Sequence, residues 1–159
     1  MRRKLKSKHT LVPDYRYHSV KVTKLINYLM ECGHKNISRN IVYGAFDDLK
    51  EQTKREPMEL FEEAINNAAP QMEIRTRRVG GANYQIPHEV SPERKLALAF
   101  RWIIEAARAK KGKTIRERLA TELLAAAKNE GEVIKKRENV HKMAEANRAF
   151  AHFARKPQS

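Results

Sequence analysis

Three arginines and a tyrosine flank a Gly-Gly pair in the segment RTRRVGGANYQIP, residues 75–87. Arg75, Arg77 and Arg78 carry guanidinium groups, which pair with a phosphate through parallel hydrogen bonds or stack on a nucleobase. The ring of Tyr84 offers a stacking surface for a base. These residue types, so close together, predict recognition of a nucleic acid.

Basic residues recur in clusters elsewhere along the chain. The first cluster is in the N-terminal segment, and the second is on the predicted helix after Pro92, where the basic residues lie largely off the apolar stripe. The third covers a loop and the start of the following helix, and the fourth is in the last predicted helix. The candidates are Arg2, Arg3, Lys4 and Lys6; Arg94, Lys95 and Arg101; Lys110, Lys111, Lys113 and Arg116; and Lys135, Lys136 and Arg137. Together with the segment 75–78, they predict an extended surface for a polyanion.

Residues that could carry catalysis are not arranged to do so. The six histidines show no metal-ligand spacing, and His141 with Glu145, four residues apart, fits a pair on a helix surface. Glu62 and Glu63 are adjacent and therefore point to different faces of a helix. No phosphate-loop or nucleophile-elbow motif occurs, and the lone Cys32 excludes an internal disulfide and a cysteine-based zinc site. The sequence predicts no catalytic site, no metal and no cofactor.

The charge balance supports a polyanionic partner. The 159 residues include 33 Lys and Arg against 19 Asp and Glu, a net charge of +14. Residues 31–70 hold eight acids and five bases, a net charge of −3, so the remainder carries +17. Nucleic acid is the commonest partner of such a chain, and an anionic membrane surface is the lesser alternative. No apolar run approaches a membrane span and no signal-type apolar segment follows the basic start, so we expect an intracellular protein.

Helical patterns account for most of the chain and predict one domain. Ser19 is the expected N-cap of a helix that Gly33 terminates, and Ser38 the expected N-cap of the next, with Ile37 and Val42 as a hydrophobic staple. Pro57 and Pro92 suit the first turns of two further helices. Thr114 with Glu117 predicts a capping box at the start of the next helix. A last helix is predicted from about 133 to the region of residue 150. Its thin apolar stripe suits a helix that lies on the surface of the domain and contacts a second partner.

A hairpin is predicted between the third and fourth helices. Residues from Met72 alternate with period two, Gly80-Gly81 supplies positive φ for a tight turn, and Pro87 ends the pairing. A two-stranded ribbon has no core of its own, so we expect an arm at about 72–88 that a partner stabilises. The alternative is a surface hairpin packed flat on the helices, with its arginines serving solubility.

Three runs carry a resemblance to a known family: IVYGAFDDLKEQT, RTRRVGGANYQIPHEVSPERKLALAFRWIIEAAR and KKRENVHKMAEANRAFAHF. They are similar to the bacterial type of small-subunit ribosomal protein seven, over nearly the whole chain from about residue 13 to 153. The resemblance implies a mainly α fold, a six-helix domain with a protruding two-stranded β-hairpin arm. We divide the chain into a basic N-terminal extension, 1–18, and a single helical RNA-binding domain, 19–159.

The resemblance also implies function. It implies binding to the 3′ major domain of small-subunit ribosomal RNA, early assembly of the subunit head, a position near the exit-site transfer RNA, and contact with neighbouring small-subunit ribosomal proteins through the C-terminal helix. The hairpin arginines, the Gly-Gly tip, Arg94, Arg101 and Arg148 match the family, whereas the N-terminal letters and the end ARKPQS depart from it. The candidate tRNA-binding residues are Arg78, Gly80, Gly81, Tyr84 and Arg148. The expected location is the cytoplasm, in the ribosome, or the stroma or matrix for an organelle-encoded chain, with no membrane partner.

Two other functions fit parts of the pattern. An architectural DNA-binding protein also combines helices with a basic β-arm, but such arms carry an apolar wedge at the tip, and here the tip is Gly-Gly. An RNA-processing enzyme would need clustered acid–base or metal-binding residues. The acidic segment is expected to face away from RNA or towards a basic protein.

Overall fold

Six helices and one hairpin make up the chain in the computed structural model, which describes residues 11–153. The helices are α1 (Val20–Leu29), α2 (Lys35–Thr53), α3 (Pro57–Ala68), α4 (Pro92–Ala109), α5 (Ile115–Ala127) and α6 (Glu132–Ala146). Strands β1 (Met72–Val79) and β2 (Ala82–Glu89) lie between α3 and α4, and a 3₁₀ helix (Arg148–Phe153) follows α6. The predicted fold class is confirmed.

Three helix starts follow their local sequence. Pro57 and Pro92 occupy the first turns of α3 and α4, where the missing backbone N–H has no helical partner to lose. Thr114 caps α5: its Oγ1 accepts a hydrogen bond from the backbone N–H of Glu117 and donates to that residue's carboxylate at 2.7 Å. Thr114 is therefore the predicted N-cap, but the Glu117 carboxylate accepts from the Thr114 hydroxyl and not from its backbone N–H as in a complete capping box.

The predicted start of α2 is wrong. Cys32 and Gly33 adopt positive φ, and the helix begins at Lys35, with His34 in the N-cap position. Ser38 is therefore buried inside the first turns, where its hydroxyl donates to the carbonyl of His34. Ile37 lies within the helix and is 58% exposed, so it forms no staple with Val42. The left-handed turn at residues 32–33 moves the helix start ahead of the serine.

The core is formed by the apolar stripes of the helices. Phe46, Phe61 and Phe100 lie within it, with ring centroids 5.2 Å and 6.2 Å apart along the series. Trp102 is only 7% exposed and belongs to the same cluster. This body is the support on which the basic side chains are mounted.

The hairpin turn lies where it was predicted, but the prediction that Pro87 ends the pairing is wrong. Ile74 pairs with Pro87, and the ladder continues to Met72 and Glu89. A two-stranded ribbon consists of edge strands, which tolerate a proline. Val79 pairs with Ala82 across Gly80-Gly81, whose φ values of +57° and +90° are accessible to glycine without strain. Near the other end, Ile86 is fully buried and Pro87 is buried, whereas residues from 80 to 83 are exposed. The hairpin is neither a free arm along its whole length nor a ribbon lying flat: its base enters the core and its tip projects.

Helix α6 and the 3₁₀ helix cover the hairpin base. Val133, Ile134 and Ala144 are the buried residues of α6, while Met143 is 48% exposed, in agreement with a thin apolar stripe. The α-helix ends at Ala146, and the chain continues to Phe153 as the tighter 3₁₀ form. There the ring of Phe150 lies 5.3 Å from the ring of Tyr84 on β2.

Candidate nucleic-acid interface

One carboxylate, Glu73, joins the hairpin to α4. Its Oε1 accepts from Nε and a terminal nitrogen of Arg75, the first of these at 2.7 Å, and its Oε2 accepts from Nε of Arg94 at 3.2 Å. The carboxylate side chain is 11% exposed, against 60% for Arg75 and 42% for Arg94. Two predicted RNA-binding residues from different elements are thereby placed side by side.

The charge state of Glu73 follows from these contacts. Burial disfavours its ionised form, but hydrogen bonds and charge from Arg75 and Arg94 outweigh burial, and the pKa of Glu73 lies below its ordinary value. The group is therefore a carboxylate at neutral pH.

A second basic cluster surrounds Trp102. A cavity of about 540 Å³ is lined by Lys110 from the loop after α4 and by Lys135 and Lys136 of α6. The ammonium group of Lys136 lies 5.8 Å from the centre of the Trp102 ring and 2.5 Å from a carboxylate oxygen of Glu105. The tertiary structure thus brings together the two lysine clusters that the sequence separates by more than twenty residues.

Several of the predicted RNA-binding residues also form ion pairs within the protein. Lys110 contacts the buried carboxylate of Glu122, and Lys135 contacts Glu132 at 3.0 Å. Arg137, whose side chain is 19% exposed, donates to the carbonyl of Asn67. Arg137 thus connects α6 to α3 and Lys110 connects the loop after α4 to α5, whereas the pair of Lys135 and Glu132 lies within α6.

The side chain of Arg116, near the start of α5, reaches across to α2. Its guanidinium group pairs with Asp48, which raises the pKa of Arg116 further above its ordinary value. A Cβ atom at Gly44 would lie 2.6 Å from Cδ of Arg116, so the glycine leaves room for this side chain. Its predicted role towards RNA stays a prediction beside this structural one.

The remaining predicted rRNA-binding residues lie on the surface. Arg77, Arg78, Arg101, Lys111 and Lys113 are exposed, and Lys95 is half-buried near the start of α4. Arg2, Arg3, Lys4 and Lys6 lie outside the described residues. Their contacts with RNA stay predictions.

The predicted tRNA-binding residues fall into two places. Arg78, Gly80 and Gly81 are exposed at the hairpin tip. Tyr84 packs against Phe150 and lies near the segment that contains Arg148, whose side chain is 79% exposed and contacts Glu145 at 3.2 Å. The half-buried ring of Tyr84 is thus partly used for packing within the protein.

Sequence reasoning missed residues on both sides of the hairpin. Lys24 and Tyr28 of α1 line a cavity of about 470 Å³ together with Arg94, because α1 packs beside α4. His141 does not make the predicted surface pair: its Nε2 accepts from the backbone N–H of Gln71 at 3.0 Å. Burial and the charge of Arg137 lower the pKa of His141. No local pattern indicates contacts that depend on the packing of distant elements.

The acidic segment is largely neutralised by neighbouring bases. Lys21 pairs with Glu62 at 2.9 Å, and Arg55 pairs with Glu63 at 2.8 Å. In the part of the chain that the structure describes, no group of three or more potential ligands is arranged to hold a metal ion. Nor is any helix there both long and apolar enough to cross a membrane.

The fold and its basic surfaces are those of a small helical protein suited to a polyanion. A sequence model of the family described as ribosomal protein S7p/S5e matches residues 1–148. The chain therefore belongs to the S7p/S5e family of ribosomal proteins, and the resemblance found in its sequence is confirmed.

Relatives match along nearly their whole length. A protein of Caldanaerobacter subterraneus is 55% identical over 92% of this chain and 94% of its own length. One of Thermotoga maritima is 54% identical over 96% of this chain and 99% of its own. One of Thermodesulfovibrio yellowstonii is 56% identical over 92% of this chain and 94% of its own length. Each is named small ribosomal subunit protein uS7.

Proposed function

We propose that this chain is a structural, non-catalytic component of the small ribosomal subunit that binds the 3′ major domain of small-subunit rRNA and helps nucleate assembly of the head. The observation that carries the proposal is the family match over residues 1–148, which includes the basic hairpin and helix positions. The net charge of +14 agrees with it. The protein works in the ribosome, in the cytoplasm or in an organelle.

The proposed mechanism is electrostatic. Exposed basic groups such as Arg78, Arg101, Lys111 and Lys113 neutralise phosphates, and release of condensed counterions supplies much of the affinity. Backbone, shape and 2′-hydroxyl contacts dominate over base reading, since side chains cannot enter the deep, narrow major groove of an RNA helix. The neutralised acidic segment, with Glu62 and Glu63, faces away from the RNA.

The hairpin and the C-terminal region serve different partners in this proposal. The tip, where Arg78, Gly80 and Gly81 are exposed, lies near the exit-site tRNA, while the base contacts rRNA. Helix α6 contacts a neighbouring small-subunit protein, for which the exposed Met143 provides apolar area. A DNA-architectural role is disfavoured by the Gly80-Gly81 tip, which offers no side chain to insert between base pairs.

A footprint on rRNA tests the proposal. The protein should protect nucleotides in a transcript of the 3′ major domain and bind a 5′-domain transcript of equal length at least tenfold more weakly. With about five or more phosphates contacted, log K should fall with log[salt] by about 0.7–0.9 per contact. Equal binding to both transcripts, or to duplex DNA, would contradict the proposed target, and a flat salt response would contradict the mechanism.

A further inference from the structure

A negative charge stands in the middle of the basic hairpin base. Glu73 is 8% exposed and is followed within five residues by three arginines, Arg75, Arg77 and Arg78. On long-range electrostatics alone, this carboxylate opposes attraction of a phosphate backbone. Its presence at a candidate RNA surface therefore requires a local reason.

The geometry supplies one. Each oxygen of Glu73 accepts from a different arginine: Oε1 from Arg75 on the same strand, and Oε2 from Arg94 on α4, 21 residues away. Two guanidinium groups that share one carboxylate lie next to each other. Like charges so placed would otherwise repel, and the carboxylate between them removes that cost.

Both arginines keep donor capacity directed elsewhere. A guanidinium group has more N–H donors than Glu73 engages, and the side chains of Arg75 and Arg94 are 60% and 42% exposed. A long side chain loses rotamer freedom when it binds, so an arginine that is already held loses less. The arrangement is a pre-formed pair of planar donors suited to the oxygens of a phosphate.

We propose that Glu73 is a positioning residue for RNA recognition, which holds Arg75 and Arg94 as a fork that binds a backbone phosphate. The inference rests on the proposed function, since it names how that surface engages RNA. The competing explanation is that Glu73 only fastens the hairpin to α4. The two explanations predict different changes in RNA affinity when the negative charge of Glu73 is removed.

The test replaces the charge but keeps the shape. Glu73→Gln removes one negative charge, so a fastening role predicts unchanged or slightly tighter RNA binding at temperatures where the protein is folded. The positioning role predicts about tenfold weaker binding to the 3′ major domain transcript, because both guanidinium groups lose their fixed orientation. Glu89→Gln is the matched control: the same charge change at an exposed residue at the base end of β2 should not weaken binding.

A double-mutant cycle separates the pair from general effects on folding. In an R75A/R94A background, Glu73→Gln should no longer weaken binding, since there is no fork to position. Arg94→Lys provides a charge-conserving variant should Glu73→Gln fold poorly, and it should weaken binding several-fold. The control is Arg108→Lys on the same helix, an arginine of similar exposure that pairs with Glu31 and should not weaken binding. Melting curves establish that each variant is folded at the assay temperature.

The outcomes distinguish this inference from the function on which it rests. If the unmodified protein does not bind the transcript, the proposed function fails. If it binds and Glu73→Gln binds equally well or more tightly, the positioning role is overturned while the function stands. Equal weakening by Glu73→Gln with and without the two arginines also overturns the fork.

Discussion

The base and the tip of the hairpin belong to the same two strands but differ in burial. At the base, Ile86 is fully buried and Glu73 links two arginines. At the tip, Gly80-Gly81 is exposed, and so are Arg78 and Ala82. Burial at the base contributes to folding, and exposure at the tip leaves charge for a partner. One secondary-structure element can therefore divide stability and binding along its length.

The largest expected effect is a loss of stability at the base. Ile86→Ala removes a fully buried side chain and leaves a cavity, so unfolding should become easier by about 3 kcal/mol. In a domain of this size that lowers Tm by about 10 °C. Gln85→Ala, an exposed neighbour on the same strand, is the control and should change Tm little. A small shift for Ile86→Ala would show that the base does not contribute to the core.

Shortening the tip should spare stability and impair binding. Removing Arg78, Val79, Ala82 and Asn83 deletes two paired positions and keeps the Gly-Gly turn, the register and the contact of Tyr84 with Phe150. Tm should change by less than about 4 °C. Reconstituted subunits should form but retain deacylated tRNA at the exit site less well. A larger fall in Tm would show that the tip is packed structure.

A single arginine at the tip should affect affinity alone. Arg78→Ala should weaken RNA binding a few-fold and reduce the salt slope by about one contact, because a phosphate partner is lost. Its Tm should match that of the unmodified protein, since the side chain is exposed. Ile86→Val is the opposite control: it should lower Tm and leave the salt slope unchanged. If Arg78→Ala left the salt dependence of log K unaltered, Arg78 would not contact a phosphate in the interface.

The smallest expected effect is a pH dependence confined to the base. Neutral His141 accepts a hydrogen bond from the backbone N–H of Gln71, and burial and the charge of Arg137 lower the pKa of His141 in the folded protein. Near and below the ordinary histidine pKa of about 6.5, His141 therefore binds more protons in the unfolded chain than in the folded one. Its contribution to stability is complete above that pH and is lost as the pH falls towards the lower pKa of the folded state. Denaturant titrations at pH 7.5 and 5.5 should show this loss, and His141→Gln should lose less. Identical pH profiles would exclude His141 as the cause.

Much of the architecture could be predicted because it depends on neighbours in the chain. The N-cap at Thr114 and the Gly80-Gly81 turn are local and were found where predicted. The start of α2 was predicted wrongly, because a positive-φ turn at Cys32 and Gly33 prevailed over the capping preference of Ser38. Local competition of this kind is decided by backbone geometry rather than by residue type.

The charges show where prediction from sequence ends. Clusters of lysine and arginine are visible in the letters, but their partners are not: Lys136 meets Glu105 from 31 residues away, and Arg116 meets Asp48 from 68. The sequence therefore predicted a basic surface without indicating which of its groups also hold the fold together. The sequence analysis also did not single out Glu73, because one of its two arginine partners, Arg94, comes from α4.

By itself, the sequence determined the helical periodicities, the hairpin turn, the excess of positive charge and the family, because each depends on residue type or short spacing. Only the tertiary structure decided that Ile86 is core, that His141 supports Gln71 and that Glu73 joins Arg75 to Arg94. Those contacts join segments far apart in the chain. They exist only once the helices pack, since packing sets which distant groups are close and which are removed from water.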